Sequence, residues 1–274
     1  MNTDRTRPAL DAEFLRGGLT APPWTRLDVV EETGSTNADL LARSAAGEDI
    51  AGAVLIAEHQ SAGRGRHGRR WSAPPRSQLA LSVGVDVGDV APDAWGWLPL
   101  AAGVAVVDAV AEVAGVAAGL KWPNDVQVGP QDSPGKLAGI LAEVAAPART
   151  VVVGLGINAT MTADEAPDPV AVSLAMLGVD AVDRDRLAAA VLRHLAEVTT
   201  RWRRADGRDD ALAADYRARS RTLGSRVRAT LPGDRAVEGV AEGIDGVGRL
   251  QIRTPGELVT VSAGDITHLR PVES

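Results

Sequence analysis

Short apolar runs divided by Gly, Pro and acidic turns set out a succession of elements along this 274-residue chain. Ala53-Val-Leu-Ile-Ala-Glu and Leu79-Ala-Leu-Ser-Val-Gly-Val have the length and β-branched content of buried strands. Between about Trp95 and Val113 the apolar positions are dense enough for a helix packed on a sheet. Further strand-like runs recur around Lys121, from Leu137 to Val144 and from Val151 to Leu155, with Gly129-Pro-Gln-Asp-Ser-Pro-Gly as a loop between two of them. Ser35-Thr-Asn precedes Ala-Asp-Leu-Leu-Ala-Arg as the capped start of a helix that Gly47 closes, and Arg186 to Trp202 has amphipathic helical spacing. A second helix is expected from about Asp210 to Ser220, and Met161 to Pro169 is polar enough for a surface loop. After Leu223-Gly224 the texture changes to short runs with alternating character: Arg226-Val-Arg-Ala-Thr-Leu, Ala236-Val-Glu-Gly-Val-Ala, Arg249-Leu-Gln-Ile-Arg and Leu258-Val-Thr-Val. The pattern predicts an N-terminal arm over 1–25, a mixed α/β domain (α+β, helices flanking a sheet) over 26–223, and a small β-barrel over 224–274.

Composition narrows the chemistry. At 45% hydrophobic residues the chain can bury a sizeable core, and without cysteine it has no disulfide, thiolate nucleophile or cysteine metal site. No secretory h-region and no apolar run of about 18 residues stands out, so a cytoplasmic protein without a membrane partner is expected. A net charge of −7 argues against a general nucleic-acid binder, so any anion site must be local. The histidines at 59, 67, 194 and 268 lack metal-ligand spacing.

Only two of the 29 basic residues are lysine, Lys121 in Leu-Lys-Trp-Pro-Asn-Asp and Lys136 in Gly-Lys-Leu-Ala-Gly-Ile-Leu. In a chain that otherwise uses arginine, these positions point to a need for a compact ammonium instead of a planar fork. Gly63-Arg-Gly-Arg-His-Gly-Arg-Arg-Trp71 places Arg64, Arg66, Arg69 and Arg70 on a glycine-rich loop after a strand. Glycine lets a ligand come close to the backbone, and guanidinium matches phosphate oxygens. The loop formally matches G-x-G-x-x-G through Gly63, Gly65 and Gly68, but Pro74-Pro75 follows where the dinucleotide fingerprint needs a helix. No G-x-x-x-x-G-K-[ST] occurs either.

Five ordered blocks resemble the biotin–protein ligases: Gly-Ser-Thr-Asn at 34–37, Glu-His-Gln-Ser-Ala-Gly-Arg-Gly-Arg-His-Gly-Arg at 58–69, Lys-Trp-Pro-Asn-Asp at 121–125, Gly-Lys-Leu-Ala-Gly-Ile-Leu at 135–141 and Gly-Leu-Gly-Ile-Asn at 154–158. The resemblance spans roughly 27–270. It implies a class II synthetase-like catalytic domain and an SH3-like C-terminal domain. Some members are also transcriptional repressors through an N-terminal winged helix, but about 25 preceding residues punctuated by Pro8, Pro22 and Pro23 are too few for one, so a short form without an N-terminal DNA-binding domain is expected. The implied reaction joins the biotin carboxylate to the α-phosphate of ATP, with Mg²⁺, and passes biotin to one lysine of a biotin carboxyl carrier domain. By the same resemblance Lys136, Arg64 and Arg66 are catalytic candidates. Ser35, Thr36, Asn37, Gln60, Gly63, Arg64, Gly65, Arg66, Lys136 and Gly139 are biotin candidates. Arg66, Arg69, Trp71, Lys121, Asn124, Lys136 and Asn158 are ATP candidates, and Asp125 is a weak Mg²⁺ candidate. Each also has an ordinary reading: Ser35, Thr36 and Asn37 as helix caps, Gln60 as a solvated loop residue, Trp71 as a core aromatic, and Asn124 and Asp125 as a turn. A lipoate or octanoate transferase of related fold and a nucleic-acid-binding module using the arginine loop are the competing functions. The former lacks the Arg-Gly-Arg loop, and the latter fits poorly with an acidic chain of 3% aromatic content.

Overall fold

The computed structural model describes residues 7–18, 22–147, 149–231, 235–262 and 268–271. In chain order the elements are α1 (Ala12–Gly18), β1 (Arg26–Thr33), α2 (Thr36–Ala45), β2 (Ala53–Gln60), β3 (Gln78–Asp86), α3 (Leu98–Ala114), β4 (Gly119–Lys121), β5 (Asp125–Val128), β6 (Gly135–Val144), β7 (Thr150–Asn158), α4 (Arg184–Arg204) and α5 (Asp210–Arg219). Five further strands follow: β8 (Arg226–Leu231), β9 (Arg235–Ile244), β10 (Leu250–Arg253), β11 (Leu258–Val261) and β12 (His268–Pro271). The first seven strands form one mixed sheet in the order β1-β2-β3-β7-β6-β5-β4, in which β1 pairs parallel with β2 and the rest pair antiparallel. The last five form a separate antiparallel sheet in the order β11-β10-β9-β8-β12.

The central pair β3 and β7 decides what each face of the large sheet can do. Because side chains alternate along a strand, Leu79, Leu81, Val83 and Val85 of β3 and Val151, Val153, Leu155 and Ile157 of β7 all enter the main core, with α3 and α4 above them. The other face carries Gln78, Ala80, Ser82 and Gly84 opposite Asn158, Gly156, Gly154 and Val152. This small, polar face receives the start of α2, where Ser35 accepts from Ala38 N as the N-cap. A minor apolar cluster of Leu40, Ile50, Ala53, Leu55, Ala145 and Val152 seats the rest of that helix.

The helical stretch Pro92–Ala114 is long and apolar enough to cross a membrane by length and composition, in contrast to the expectation that no such run exists. Its apolarity is used in the core: Leu98, Leu100, Val104, Val106 and Val110 are all buried there. The N-terminal arm also differs from expectation. Leu10, Leu15 and Trp24 are buried in the main core, and the Trp24 indole donates to the Leu192 carbonyl at 2.8 Å. A polar, Pro-punctuated segment with isolated apolar residues has no periodic signal, and its anchors lie on α4 and β2, far away in sequence. The polar stretch taken as a surface loop contains a 3₁₀ turn, Ala163–Glu165, closed by a capping box from Thr162.

Those anchors converge on a buried ion pair. Arg184 Nη1 meets Glu58 Oε2 at 2.6 Å with side chains only 5% and 2% exposed. The same guanidinium donates to the carbonyls of Gln78 (3.3 Å) and Pro8 (2.6 Å), and Glu58 Oε1 accepts from Leu10 N at 2.5 Å. One pair thus joins the arm, β2, β3 and α4. Removing one partner strands the other charge in the core, so Arg184→Met should lower the unfolding free energy by about 3–5 kcal/mol in urea denaturation. Amide exchange at Leu10 should rise first, and a loss below about 1 kcal/mol would show that this pair does not hold the arm.

Candidate active site

The small-residue face of the sheet, the arginine loop and the start of α2 enclose a cavity of about 500 Å³. Its wall brings together Ser35, Thr36, Asn37, Gln60, Arg64, Gly65, Arg66, Arg69, Trp71, Lys121, Asn124, Asp125, Lys136, Gly139 and Asn158, which come from five separated blocks of sequence. Gly63 is the one candidate not on that wall. It serves the loop instead, because a Cβ there would stand 2.4 Å from the Trp71 carbonyl oxygen.

The arginine loop is tied to itself. Trp71 N donates to Gly63 O (2.9 Å), Gly65 N donates to Arg69 O (2.7 Å), and Arg64 and Arg70 form an antiparallel bridge. A 3₁₀ turn over Arg66–Gly68 passes through left-handed His67 (φ 57°) and Gly68 (φ 71°), after which the chain extends at Arg69. No α-helix opens at the glycines, in keeping with the mismatch to the dinucleotide fingerprint. Arg66 turns inward toward Asn124, 3.5 Å from its Oδ1. Burial draws the Arg66 guanidinium below its ordinary value, the charge of Asp125 opposes this, and neighbouring Arg69 adds to it.

At the loop's end the Trp71 indole lies against two glycines. A Cβ on Gly156 would stand 2.4 Å from its Cε2, and one on Gly139 would stand 2.9 Å from its Cζ3. The indole N–H donates to Gln78 Oε1 at 2.5 Å. Gly139 and Gly156 therefore act by admitting a side chain. Lys136 Nζ sits 5.6 Å from the Trp71 ring centroid and 2.8 Å from Asp125 Oδ1. The backbone of Lys136 is held as closely: its N donates to Val170 O (2.6 Å), its O accepts from Val172 N (3.0 Å), and Asn158 Nδ2 lies 3.3 Å from the Lys136 O and 3.2 Å from the Val172 O. Asn158 thus locks β6 to the 170–172 segment with its donors.

Lys121 and Asn124 flank the cis Trp122–Pro123 bond. Asn124 Nδ2 donates to Ile140 O (3.0 Å), and Ile140 N donates to Asn124 O (2.9 Å), which fastens the turn to β6. The buried Trp122 indole donates to Gly248 O at 3.1 Å, and its backbone N donates to Thr222 Oγ1 at 2.9 Å. The C-terminal sheet is thereby docked directly behind the turn that carries Lys121.

At the opposite end Ser35, Thr36, Asn37 and Gln60 present uncharged groups to the cavity, with the Glu143 carboxylate behind them. Gln60 Oε1 accepts from Thr36 N at 2.9 Å and lies 3.1 Å from Thr36 Oγ1, and Asn37 Nδ2 faces Leu141 O (3.1 Å) and Glu143 Oε2 (2.8 Å). Ser35 both caps α2 and lines the cavity. Sequence reasoning missed Gln78, Ser82, Glu143 and Gly154, as well as Asp168, Val170 and Ala171 on the wall. The large–small alternation of Leu79-Ala-Leu-Ser-Val-Gly-Val was the available signal for Ser82. Among the described residues no three His, Cys, Asp or Glu side chains cluster in a metal-binding arrangement, and Asp125 is a single carboxylate paired with Lys136.

Residues 31–158 match the family model described as Biotin/lipoate A/B protein ligase family, and residues 222–269 match Biotin protein ligase C terminal domain. The chain is 57% identical over 272 residues to Biotin--[acetyl-CoA-carboxylase] ligase of Mycobacterium tuberculosis, covering 97% of this chain and 98% of the relative. It is 31% identical over 272 residues to the Bifunctional ligase/repressor BirA of Escherichia coli, covering 96% of this chain and 79% of the relative. Among solved structures, the biotin protein ligase from Aquifex aeolicus in complex with biotin and ATP is similar with a TM-score of 0.74 and 25% identity, covering 91% of this chain and 100% of that one. The Leishmania major biotin protein ligase in complex with biotinyl-5-AMP gives 0.60 and 26%, covering 89% and 100%.

If the glycines exist to seat the indole, Gly156→Ala should destabilise the protein by about 1–3 kcal/mol through overpacking. In a Trp71→Leu background the same change should be nearly neutral. A double-mutant cycle of thermal unfolding measures the difference, and additive effects would disconnect the two residues.

Proposed function

The chain belongs to the biotin protein ligase family, and we infer from its cavity how this ATP-dependent ligation of biotin is carried out. The observation that carries the reading is the polarity of the cavity along its length. Thr36 and Gln60 offer uncharged hydrogen-bonding groups at one end, and Arg66, Lys121 and Lys136 gather positive charge at the other. Biotin has an uncharged ureido head and a carboxylate tail, and its tail must meet the α-phosphate of ATP. A lipoyl or octanoyl group has no polar head to use Thr36 and Gln60, so the neutral end favours biotin over those acyl groups.

In the first step a carboxylate oxygen of biotin bonds to the α-phosphorus while the bond from that phosphorus to the β-bridging oxygen breaks, and pyrophosphate leaves with the electron pair. Two anions must approach each other for this to occur. Lys136 stands where it can bridge them: its ammonium is a point charge fixed by Asp125 on one side and by the Trp71 face on the other. Arg64 and Arg66 supply further fixed positive charge as negative charge shifts onto pyrophosphate. Trp71, seated against Gly139 and Gly156, offers its indole to adenine, while Arg69, Lys121 and Asn124 line the side left for the phosphates. Asn158 contributes by holding Lys136. In the second step the amine of a carrier-domain lysine attacks the acyl carbon, the C–O bond to AMP breaks, and the amine loses a proton.

Mg²⁺ fits this site as an ion carried by ATP, since such ions commonly take one or two carboxylates plus substrate phosphates, and Asp125 is the carboxylate at hand. It would neutralise charge on the departing pyrophosphate. The carrier domain of a biotin-dependent carboxylase is the proposed acceptor, in line with the acetyl-CoA-carboxylase substrate named for the M. tuberculosis relative. Residues 26–223 are proposed as the ligase domain, 224–274 as its SH3-like companion, and the cytoplasm as the working compartment.

Biotin-dependent ATP–pyrophosphate exchange tests the reaction, and its absence from the purified protein would overturn it. Lys136→Arg keeps the charge but replaces the compact ammonium with a fork. It should lose about 100-fold or more of the exchange rate, as misplacement at a reacting centre does, and exchange at the wild-type rate would remove Lys136 from the reaction. Lys121→Ala should weaken ATP more than biotin in calorimetry, whereas equal losses would count against placing it at the phosphates.

A further inference from the structure

Beneath the neutral end of the cavity lie three close oxygen–oxygen contacts. Ser82 Oγ is 2.6 Å from Asn37 Oδ1 and 2.6 Å from Thr36 Oγ1, and Thr36 Oγ1 is 3.1 Å from Gln60 Oε1. The amide orientations are determined by their other partners. Asn37 Nδ2 faces two groups that only accept, the Leu141 carbonyl and the Glu143 carboxylate, so Oδ1 must face Ser82. Gln60 Oε1 accepts the Thr36 backbone N–H, so it too meets the Thr36 hydroxyl as an acceptor. Two acceptor-only oxygens therefore bracket two hydroxyls, and each hydroxyl has one proton.

Three contacts share two protons. Asn37 Oδ1 can only be satisfied by the Ser82 proton. The 2.6 Å contact between the two hydroxyls then takes the proton of Thr36, because two bare oxygens at that distance would repel. Nothing remains for the longer Thr36–Gln60 contact. Thr36 Oγ1 and Gln60 Oε1 face the cavity as neighbouring acceptors, and the missing proton has to come from the ligand.

We propose that Ser82, fully buried below the cavity wall, is a specificity-determining positioning residue: by accepting the Thr36 proton it makes the neutral end demand an N–H donor and reject an isosteric oxygen. The inference rests on placing the ureido head of biotin at Thr36 and Gln60. Asn37 then acts through Ser82 and not on biotin, since both hydrogens of its Nδ2 are engaged by protein and a Cβ on Gly154 would lie 2.1 Å from its Oδ1. Glu143 and Gly154 belong to the same device, one orienting the amide and the other making room for it.

The test compares biotin with its two carbamate isosteres, in which one or the other ureido N–H is replaced by a ring oxygen. In calorimetry the wild-type protein should bind the isostere altered at the Thr36-facing position about 100-fold more weakly than biotin, because acceptor then meets acceptor. In Ser82→Ala the Thr36 proton is released to turn toward the ligand. Biotin should weaken about tenfold, the isostere should gain, and the ratio should fall to about fivefold or less, with the KM for ATP and kcat at saturating biotin unchanged. Should Ser82→Ala not fold, Ser82→Cys, whose thiol is a weak donor and acceptor, takes its place with the same expectations. A ratio equal to that of the wild type overturns the proposal, and so does an equal loss for biotin, isostere and ATP, which marks Ser82 as structural only. Thr36→Val and Gln60→Leu separate the two levels of inference. If both bind biotin as the wild type does, the ureido head lies elsewhere and the placement itself falls. If both lose biotin while Ser82→Ala keeps the ratio, only the role of Ser82 falls.

Discussion

Everything at the site depends on one constraint, the alternation of large and small side chains along the adjacent strands β3 and β7. Leu79, Leu81, Val83 and Val85 fill the core together with Val151, Val153, Leu155 and Ile157, which leaves Gly154, Gly156 and Asn158 to form the floor of a cavity, with Gln78 and Ser82 beside them in the sheet. Had all those positions carried large side chains, they would have filled the space that the start of α2 and the cavity occupy. Instead Gly154 admits the Asn37 amide and Gly156 admits the Trp71 indole. Because a strand has period two, a one-residue slip would exchange core and floor. The apolar face therefore enforces the register on which the site depends.

Charge is concentrated where the floor ends. The chain is acidic overall, with a net charge of −7, yet Arg64, Arg66, Arg69, Lys121 and Lys136 converge on one cavity. Like charges at such spacing repel, and two of them are answered locally: Lys136 by Asp125 and the indole face, Arg66 by the charge of Asp125 and by Asn124. These interactions leave the cations oriented before an anionic ligand arrives, so little reorganisation is needed when charge develops on phosphate. Anchors lie further back as well, with Asn158 behind Lys136 and the Trp122 indole joining the Lys121 turn to the C-terminal sheet.

The neutral end obeys a different rule. There the groups are arranged by proton count and not by charge, and a serine beneath the cavity wall decides which way a buried threonine on that wall points its hydrogen. The cavity thus combines a charge-matched end with a hydrogen-bonded end that is strict about donor and acceptor. On the proposed reading, a ligand with a carboxylate at one tip and a urea at the other uses both.

Alternation, capping residues and contiguous blocks are properties of short stretches, so most strands of both sheets, the main helices, the arginine loop and much of the cavity wall are legible in the sequence, whereas β1, polar along most of its length, and the short β12 do not stand out. Thr36, Gln60, Arg66, Lys121, Lys136 and Asn158 were all legible in this way, through their blocks and through the resemblance those blocks carry. How they are held depends on contacts between separate parts of the chain. Gln78 under Trp71, Ser82 between Thr36 and Asn37, and Asn158 turned to the Lys136 backbone are contacts across 7, 46 and 22 residues of chain. The N-terminal arm shows the same limit, since Leu10 and Trp24 have no periodic neighbours and are fixed by Glu58 and Leu192. The physical reason is common to all of them: a hydrogen bond made by a buried side chain depends on which strand lies beside it, and strand order is set by the packing of the whole sheet.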